Sequence, residues 1–591
     1  MTIDQYVIFG TLILTLVLFI TGRWRYDVVA LIALLIVSIT GIIPVERVFS
    51  GFSNPAVITV AAVLVLSKGL QNSGVIDIIG ERLFRIKGGM VSQLAVLTTF
   101  VAVLSAFMNN VGALALMLPL VLELARRKKL QPSYLLMPLA FASLLGGMTT
   151  LIGTPPNIIA SSFREQATGQ PFRMFDFTLV GGGVAVVGVL FIVLLGWRLI
   201  PLRASKGKDQ DLFEIDNYIT EVRIPAESKL TGKAIREIGD FSKTETVIVG
   251  IVRGSERRME PSSLTKLREG DILIINADAE KINKLVQLSG LELVGSKEIG
   301  RDALESDDVT LAEAVVAPNS IMIGGTAFSL NLRAEYGVNL LAVSRQGALI
   351  RKRLDRIRFQ VGDVLLLQSH VETLKETIEN LGCLPLAARS LKLGKPRKIY
   401  PMLVIFISAL LVAALGWVPV QVAFVAAVVL TVITRIVSLK EAYASIDWPI
   451  IILLGAMIPV GEALETTGGA QLIANSLLQV SNQIPPVVSL TIVLVATMFL
   501  SDLVNNAAAI VLMAPIGISI ARGMGVSIDP FLIAIAIGAS CAFLTPIGHQ
   551  SNTLVMGPGG YKFGDYWRMG LLLELIVVLV ALPLILLFWP L

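Results

Sequence analysis

The chain has 591 residues, 54% of them hydrophobic and 16% charged, with a mean hydropathy of +0.76. No water-soluble fold of this length carries that balance, so the sequence specifies an integral membrane protein. Two cysteines, Cys383 and Cys541, exclude a disulfide scaffold and a thiolate metal centre, and the isoelectric point near 9 reports basic loops rather than nucleic-acid binding.

Along the chain, the first apolar run, 7–21, lacks a basic n-region and a small-residue cleavage site and reads as a retained span. Further spans follow at 27–44, 55–70, 132–162 and 177–200, then at 401–416, 420–436, 449–465, 529–554 and 569–590. Two more apolar segments, 91–125 and 486–521, are each interrupted midway by polar residues and read as helix–loop–helix hairpins. Between the two membrane blocks, residues 201–400 hold 58 of the 93 charged residues and form a soluble insert.

Lys and Arg mark cytoplasmic loops. Arg82, Arg85 and Lys87 precede the first hairpin and Arg126, Arg127, Lys128 and Lys129 follow it, so it opens from the cytoplasm. From Glu441 to Ala521 there is no Lys or Arg, so the second hairpin opens from the other side. The halves also align in sequence. Ser105 to Asn110, with Pro119 after it, matches Ser501 to Asn506, with Pro515 after it, at an offset of 396. Leu151 to Asn157 matches Pro546 to Asn552 at 395, and Pro55, Leu70 and Gly74 fall on Pro449, Leu464 and Gly468 at 394. Five spans and one hairpin per copy give an odd number of crossings, so the copies are inverted. The expected domains are membrane repeat 1 (1–200), a cytoplasmic insert (201–400) and inverted repeat 2 (401–591), with both termini outside. Inverted repeats with broken helices are the pattern of secondary transporters, whose sites lie near the midplane. No filter-like segment for a channel is present.

Four polar clusters interrupt the apolar segments: the tips Ser105 with Met108 to Val111 and Ser501-Asp502 with Val504 to Ala507, and the breaks Thr149 to Asn157 and Thr545 to Thr553. Irregular backbone at membrane depth must be buried in protein or line a cavity. Unwound carbonyls and Ser, Thr and Asn oxygens suit a sodium ion, while helix N-termini suit an anion; the alternative is that these side chains merely join helices. Asp502 has no counterpart in the first half, where Ala106 stands; it is a sodium ligand, a proton carrier or the partner of a neighbouring amide. His549 either donates to an oxyanion or caps a helix, and Glu462 and Glu465 read as interfacial.

At these residues the chain resembles the divalent-anion/sodium symporter family of the ion transporter superfamily, over about two thirds of its length; Gly153-Thr154-Pro155-Pro156-Asn157 is the family-like break element. The resemblance implies a first sodium site at Ser105, Asn109, Asn110 and the backbone near Gly153. It implies a second at Ser501, Val504, Asn506 and the backbone near Gly548; Asp502 joins the cation ligands from its own place as an acid inside a span, not from the resemblance. It implies an anion held by Asn110, Thr154, Asn505, Asn506 and the 546–552 loop with His549, Ser551 and Asn552. Where the family has Ser-Asn-Thr, this chain has Asn109-Asn110-Val111 and Asn505-Asn506-Ala507, which weakens a dicarboxylate and leaves a compact inorganic oxyanion, sulfate first. The family further implies a homodimer working by an elevator motion, and its setting is a bacterial inner membrane, with lipid as the other partner.

Residues 213–386 contain a shorter repeat at offset 92: Gly232 on Gly324, Arg253 on Arg345, and Gly270-Asp271-Ile272-Leu273 on Gly362-Asp363-Val364-Leu365. Each copy reads strand, short helix, alternating strand (Thr246 to Val252, then Asn339 to Ser344), Gly-Asp turn, apolar strand and closing helix. This α/β order is similar to tandem TrkA-C domains (213–295 and 309–386), which implies dimerisation and regulation by an unidentified small molecule. No Gly-x-Gly-x-x-Gly fingerprint occurs. The basic cluster Arg351, Lys352, Arg353, Arg356 and Arg358 reads as a solvated face. The expectation is therefore a sodium-coupled oxyanion symporter and not an enzyme; the rivals are a proton-coupled carrier or sodium/proton antiporter of the same fold, a dicarboxylate carrier, a ligand-gated cation channel and a nutrient sensor.

Overall fold

Apolar segments in lipid must satisfy their backbone hydrogen bonds internally, and in the computed structural model each becomes a helix. The structure describes residues 1–21, 24–74, 89–128, 130–201, 398–469, 471–472 and 485–591. It also describes 219–386 except 227, 229, 236–246, 254–255, 260–263, 277–290, 294–308, 319, 346–347, 351–353 and 355–356. Arg82, Arg85, Lys87, Lys129, Thr246, Arg351, Lys352, Arg353 and Arg356, and residues 213 and 295 that bound the first expected insert module, lie outside the described residues.

The first membrane half contains α1 (Ile3–Thr21), α2 (Tyr26–Ile39), α3 (Pro55–Ser73), α4 (Met90–Phe107), α5 (Asn110–Lys128), α6 (Ser133–Gly147), α7 (Pro155–Thr168) and α8 (Thr178–Leu194). Among the described residues of the insert there are two short helices, α9 (Leu332–Tyr336) and α10 (Val371–Asn380). The second half contains α11 (Ile399–Ala414), α12 (Val420–Ile433), α13 (Leu439–Ser445), α14 (Trp448–Thr466), α15 (Pro486–Leu503), α16 (Asn506–Met524), α17 (Asp529–Ser540), α18 (Gln550–Met556) and α19 (Tyr566–Phe588). Among the described residues, seven helices are long and apolar enough to cross a membrane, and six more are apolar but shorter.

Burial sorts these helices. α6, α14, α16 and α17 are enclosed on nearly every face, whereas α1, α11, α12 and α19 expose rows of Leu, Ile and Val, among them Ile13, Val404, Val429, Leu571 and Leu579. A helix apolar all round is either enclosed by protein or faces hydrocarbon, and both kinds occur here. The hairpins are α4–α5 and α15–α16. The first turns at the extended residue Met108 (φ −129°, ψ 161°) and the second at the extended residues Val504 (φ −126°, ψ 170°) and Asn505 (φ −60°, ψ 141°); the N–H groups of Met108 and Val504 close the preceding helices on Leu104 O and Leu500 O.

Two helices are broken at depth: α6 stops at Gly147 and resumes as α7 at Pro155, and α17 stops at Ser540 and resumes as α18 at Gln550. Proline fits the first position of α7 because that N–H has no intrahelical partner anyway. The second break opens at Cys541, four residues before the expected Thr545, for a visible reason. Asn552 Nδ2 donates to the Ala542 and Thr545 carbonyls (2.6 and 3.2 Å), and the Leu544 N–H donates to Asp502 Oδ1 (2.9 Å), so side chains replace the helical partners.

The chain divides into two compact units: Met1–Leu202 with Arg389–Val555 and Lys562–Leu591, and Arg203–Ala388 with Met556–Tyr561. Among the described residues, the second unit holds two five-stranded antiparallel sheets. In the first, β1 (Ile219–Arg223), β2 (Val247–Arg253), β3 (Glu256–Met259), β4 (Ile272–Asn276) and β5 (Glu292–Leu293) run in the order β3-β2-β4-β1-β5. In the other, β6 (Val309–Val316), β7 (Asn339–Arg345), β8 (Ala348–Leu349), β9 (Val364–His370) and β10 (Cys383–Pro385) run β10-β6-β9-β7-β8. Read from the other edge, the two orders are one topology. The register shifts coincide at offset 92, Ile248/Gly250 and Leu340/Ala342, and so do the ion pairs Arg253–Asp271 and Arg345–Asp363, each 2.7 Å at its closest approach.

Candidate functional site

The first hairpin tip delivers Asn110 to the first turn of α5, where the Asn110 side chain is 1% exposed. With its amide nitrogen turned inward, Asn110 donates to the Ser143 carbonyl (3.2 Å), the Gly153 carbonyl (3.3 Å) and Ser105 Oγ (2.7 Å). One side chain thereby joins tip, α6 and break. Its amide oxygen then faces His549 Nε2 at 3.4 Å. The proton on the histidine follows from the other nitrogen: Nδ1 accepts the Ser551 N–H at 3.0 Å, so Nε2 carries the hydrogen and points it at Asn110. The tip of the first half thus meets the break of the second.

The second tip meets the same break. Ser501 Oγ donates to the Ala539 carbonyl (2.6 Å), Thr545 Oγ1 donates to the Asp502 carbonyl (2.7 Å), and a Cβ placed on Gly548 would lie 2.6 Å from Ser501 O. Close contacts recur in the first half, where Thr150 Oγ1 donates to the Ala106 carbonyl and Asn157 Nδ2 to Thr150 O (2.8 Å). The other tip residues turn inward on their own turns: Asn109 Oδ1 accepts Val111 N–H (3.3 Å), while Asn505 Oδ1 and Asn506 Oδ1 both accept Ala507 N–H (2.9 and 2.8 Å).

Several polar atoms around this junction are buried without a partner: Thr154 Oγ1, Asn157 Oδ1, Ser551 Oγ, Asn552 Oδ1, Asp502 Oδ2 and Glu574 Oε1. An unpaired buried polar group costs about 1–3 kcal/mol, and so many at one place mark where a small polar ligand would gain most. The hydroxyls of Thr154 and Ser551 can donate to an oxyanion, joined by His549 Nε2–H when it exchanges Asn110 for the anion; the amide and carboxylate oxygens can face a cation. Among the described residues no Lys or Arg bonds to any of these atoms, so the anion-facing part is built of neutral donors.

Of the sequence-predicted residues, the structure brings together Ser105, Asn110, Gly153, Thr154, His549 and Ser551 on one side, and Ser501, Asp502, Gly548 and Asn552 on the other. It leaves Asn109, Val504, Asn505 and Asn506 engaged with their own turns. Asn157 takes the helix-joining role that the sequence left open for the break residues; sequence reasoning overlooked Tyr566, whose hydroxyl donates to Asn552 O (2.7 Å), and Glu574. The last had a signal: it is the lone charge in the apolar core of α19, and an ionisable residue inside a span is functional by default.

The comparisons agree with this architecture. The sequence model of the citrate transporter family, CitMHS, matches residues 16–538 and 490–591. An uncharacterized transporter of Synechocystis sp. is 33% identical over 98% of this chain and 95% of its own length. The uncharacterized transporter YfbS of Escherichia coli is 30% identical over 99% of both chains. Sodium/sulfate cotransporter 2 of Chlamydomonas reinhardtii is 26% identical over 56% of this chain and 39% of its own. The resemblance seen in the sequence is thereby placed at the level of the ion transporter superfamily. With its apolar helices, paired hairpins and broken helices, the chain is an integral membrane transporter, and it belongs to the citrate transporter family, CitMHS.

Proposed function

We propose that the protein is a sodium-coupled symporter of an inorganic oxyanion, with sulfate the first substrate. The observation that carries this is the meeting of the Asn110 tip with the His549 break, beside buried, unpartnered hydroxyls of Thr154 and Ser551. Neutral donors of that size suit a compact tetrahedral anion, whose charge is balanced by the sodium ions that move with it. A relative named as a sodium/sulfate cotransporter supports the same substrate. In this reading the halves are inverted repeats, both termini lie outside, the site-bearing hairpins and broken helices travel as an elevator within a homodimer, and the insert is a pair of cytoplasmic TrkA-C modules that regulates transport. The membrane is a bacterial inner membrane. The description of the matched family favours a second substrate, citrate.

Uptake into proteoliposomes tests both. Labelled sulfate, phosphate, succinate, citrate, chloride and arsenite are offered with and without an inward sodium gradient. Sodium-driven sulfate uptake is expected; citrate uptake without sulfate uptake selects the second reading; and no sodium-dependent uptake of any oxyanion by correctly folded protein overturns the proposal.

A further inference from the structure

Glu574 lies on a stripe of α19 that packs directly on the second break. One turn before it, a Cβ on Gly570 would fall 2.2 Å from Phe543 O; two turns before it, Tyr566 holds Asn552 O. The Glu574 carboxyl comes within hydrogen-bonding reach of the Phe543 N–H and of the Asp502 carboxyl. Asp502 uses Oδ1 on the Leu544 N–H and also lies within reach of the Thr545 N–H, while Asp502 Oδ2 and Glu574 Oε1 have no well-formed hydrogen bond to any group other than the facing carboxyl, on side chains 3% and 7% exposed. Two carboxyl groups that face each other in a low dielectric cannot both be ionised unless a cation lies between them; without one, the pair shares a proton.

The first half shows that the fold does not need them. There a Cβ on Gly181 of α8 would fall 2.2 Å from Met148 O, the same close approach as Gly570 to Phe543, and Thr150 bonds the Ala106 carbonyl as Thr545 bonds that of Asp502. The positions corresponding to Asp502 and Glu574 are Ala106 and Ala185. The same backbone cradle is thus built once with two alanines and once with two acids, so the pair is a property of this site and not of its packing.

We propose that Asp502 and Glu574 together hold one sodium ion at the second break, with oxygens of the unwound backbone completing its shell. This deepens the sodium-symport reading and rests on it: it adds Glu574 as a cation ligand that balances part of the anion's charge. The test compares wild type with Glu574→Gln and Asp502→Asn in two measurements on the full chain. In the first, sodium chloride raises the melting temperature of sulfate-free protein above its value in choline chloride. Glu574→Gln melts at least as high as wild type in choline, since an amide can donate to the facing carboxylate, and gains nothing from sodium. In the second, either variant needs at least tenfold more sodium for half-maximal sulfate uptake and shows a sodium Hill coefficient lower by about one, with the sulfate KM at saturating sodium within a few-fold of wild type. A variant that keeps the wild-type sodium dependence in both measurements overturns the site, as does stabilisation of wild type that follows pH and ignores sodium. If wild type takes up no oxyanion but is still stabilised by sodium through Glu574, the transport reading fails and the ion site stands.

Discussion

At the scale of single residues the junction depends on His549, which joins two parts through two different nitrogens. Nδ1 accepts the Ser551 N–H and so fixes the loop geometry at the start of α18; Nε2–H reaches Asn110 on the other half. The two roles separate by substitution. His549→Asn offers an oxygen near the Nδ1 position and keeps the loop bond, but it is too short for Asn110; His549→Ala loses both. Each neutral hydrogen bond contributes about 0.5–1.5 kcal/mol, so melting in detergent is expected to fall in the order wild type, Asn, Ala. In the proposed symport the Nε2 donor serves the anion, so sulfate uptake is expected to drop at least tenfold in both variants. Equal melting of the two variants would remove the loop role, and wild-type uptake in His549→Asn would remove the donor role.

At the scale of elements, each broken helix is held by a threonine that bonds the last turn of the adjacent hairpin helix, Thr150 on Ala106 O and Thr545 on Asp502 O. Valine in place of either has the same shape without the hydroxyl and leaves a buried carbonyl unpaired, at about 1–3 kcal/mol. Thr150→Val and Thr545→Val are expected to lower the melting temperature alike, because the elements they join are alike; a loss confined to one of them would show that the two halves are held differently. In the insert the comparable device is an ion pair. Asp363 is fully buried, its Oδ2 also accepts the Gln360 N–H, and Arg345 grips both of its oxygens at 2.7 Å while donating to Arg358 O. The side-chain bond to Asp363 raises the Arg345 pKa further above an already high value despite burial, so this charge persists at every working pH. Removing one partner of such a pair costs about 3–5 kcal/mol, and a reporter stands nearby. Burial pushes the Cys383 thiol up to about 12, so in the folded module it stays protonated, and unreactive to alkylation, through neutral and mildly alkaline pH. Arg345→Ala is expected to expose Cys383 to a maleimide at pH 8 at least tenfold faster, whereas Arg253→Ala, in the other sheet, leaves that rate nearly unchanged.

At the scale of the whole molecule, hydropathy made the helices legible because lipid leaves an apolar chain so few options: runs such as 401–416 and 569–590 correspond to α11 and α19 within a few residues. The first residue of the second break was not legible, because the bonds that unwind it come from Asp502 and Asn552, far from Cys541 along the helix path. Glu574 was overlooked because a single acid hardly lowers the hydropathy of α19, and its partner lies 72 positions away. A second tie between the halves, beside Asn110 and His549, was equally hidden, since it depends on one arginine and one aspartate 365 residues apart. Arg164 of α7 holds Asp529 in the first turn of α17 through two parallel bonds (2.8 and 2.9 Å), each side chain 17% exposed; its guanidinium also donates to Gln170 O and Pro171 O and lies 4.7 Å from the Phe172 ring centre. A bidentate, half-enclosed pair is worth more than an exposed one, and the negative member sits at a helix N-terminus, where it is favoured. Arg164→Lys keeps the charge without the fork and is expected to lower the melting temperature less than Asp529→Asn. Exchanging the two residues restores part of the loss. If α7 and α17 move together during transport, as the proposed elevator requires, the pair stays closed throughout the cycle and uptake falls in step with stability in every variant. Faster uptake in Asp529→Asn than in wild type would show instead that the pair is a latch that has to open, and that the two broken helices part during each turnover.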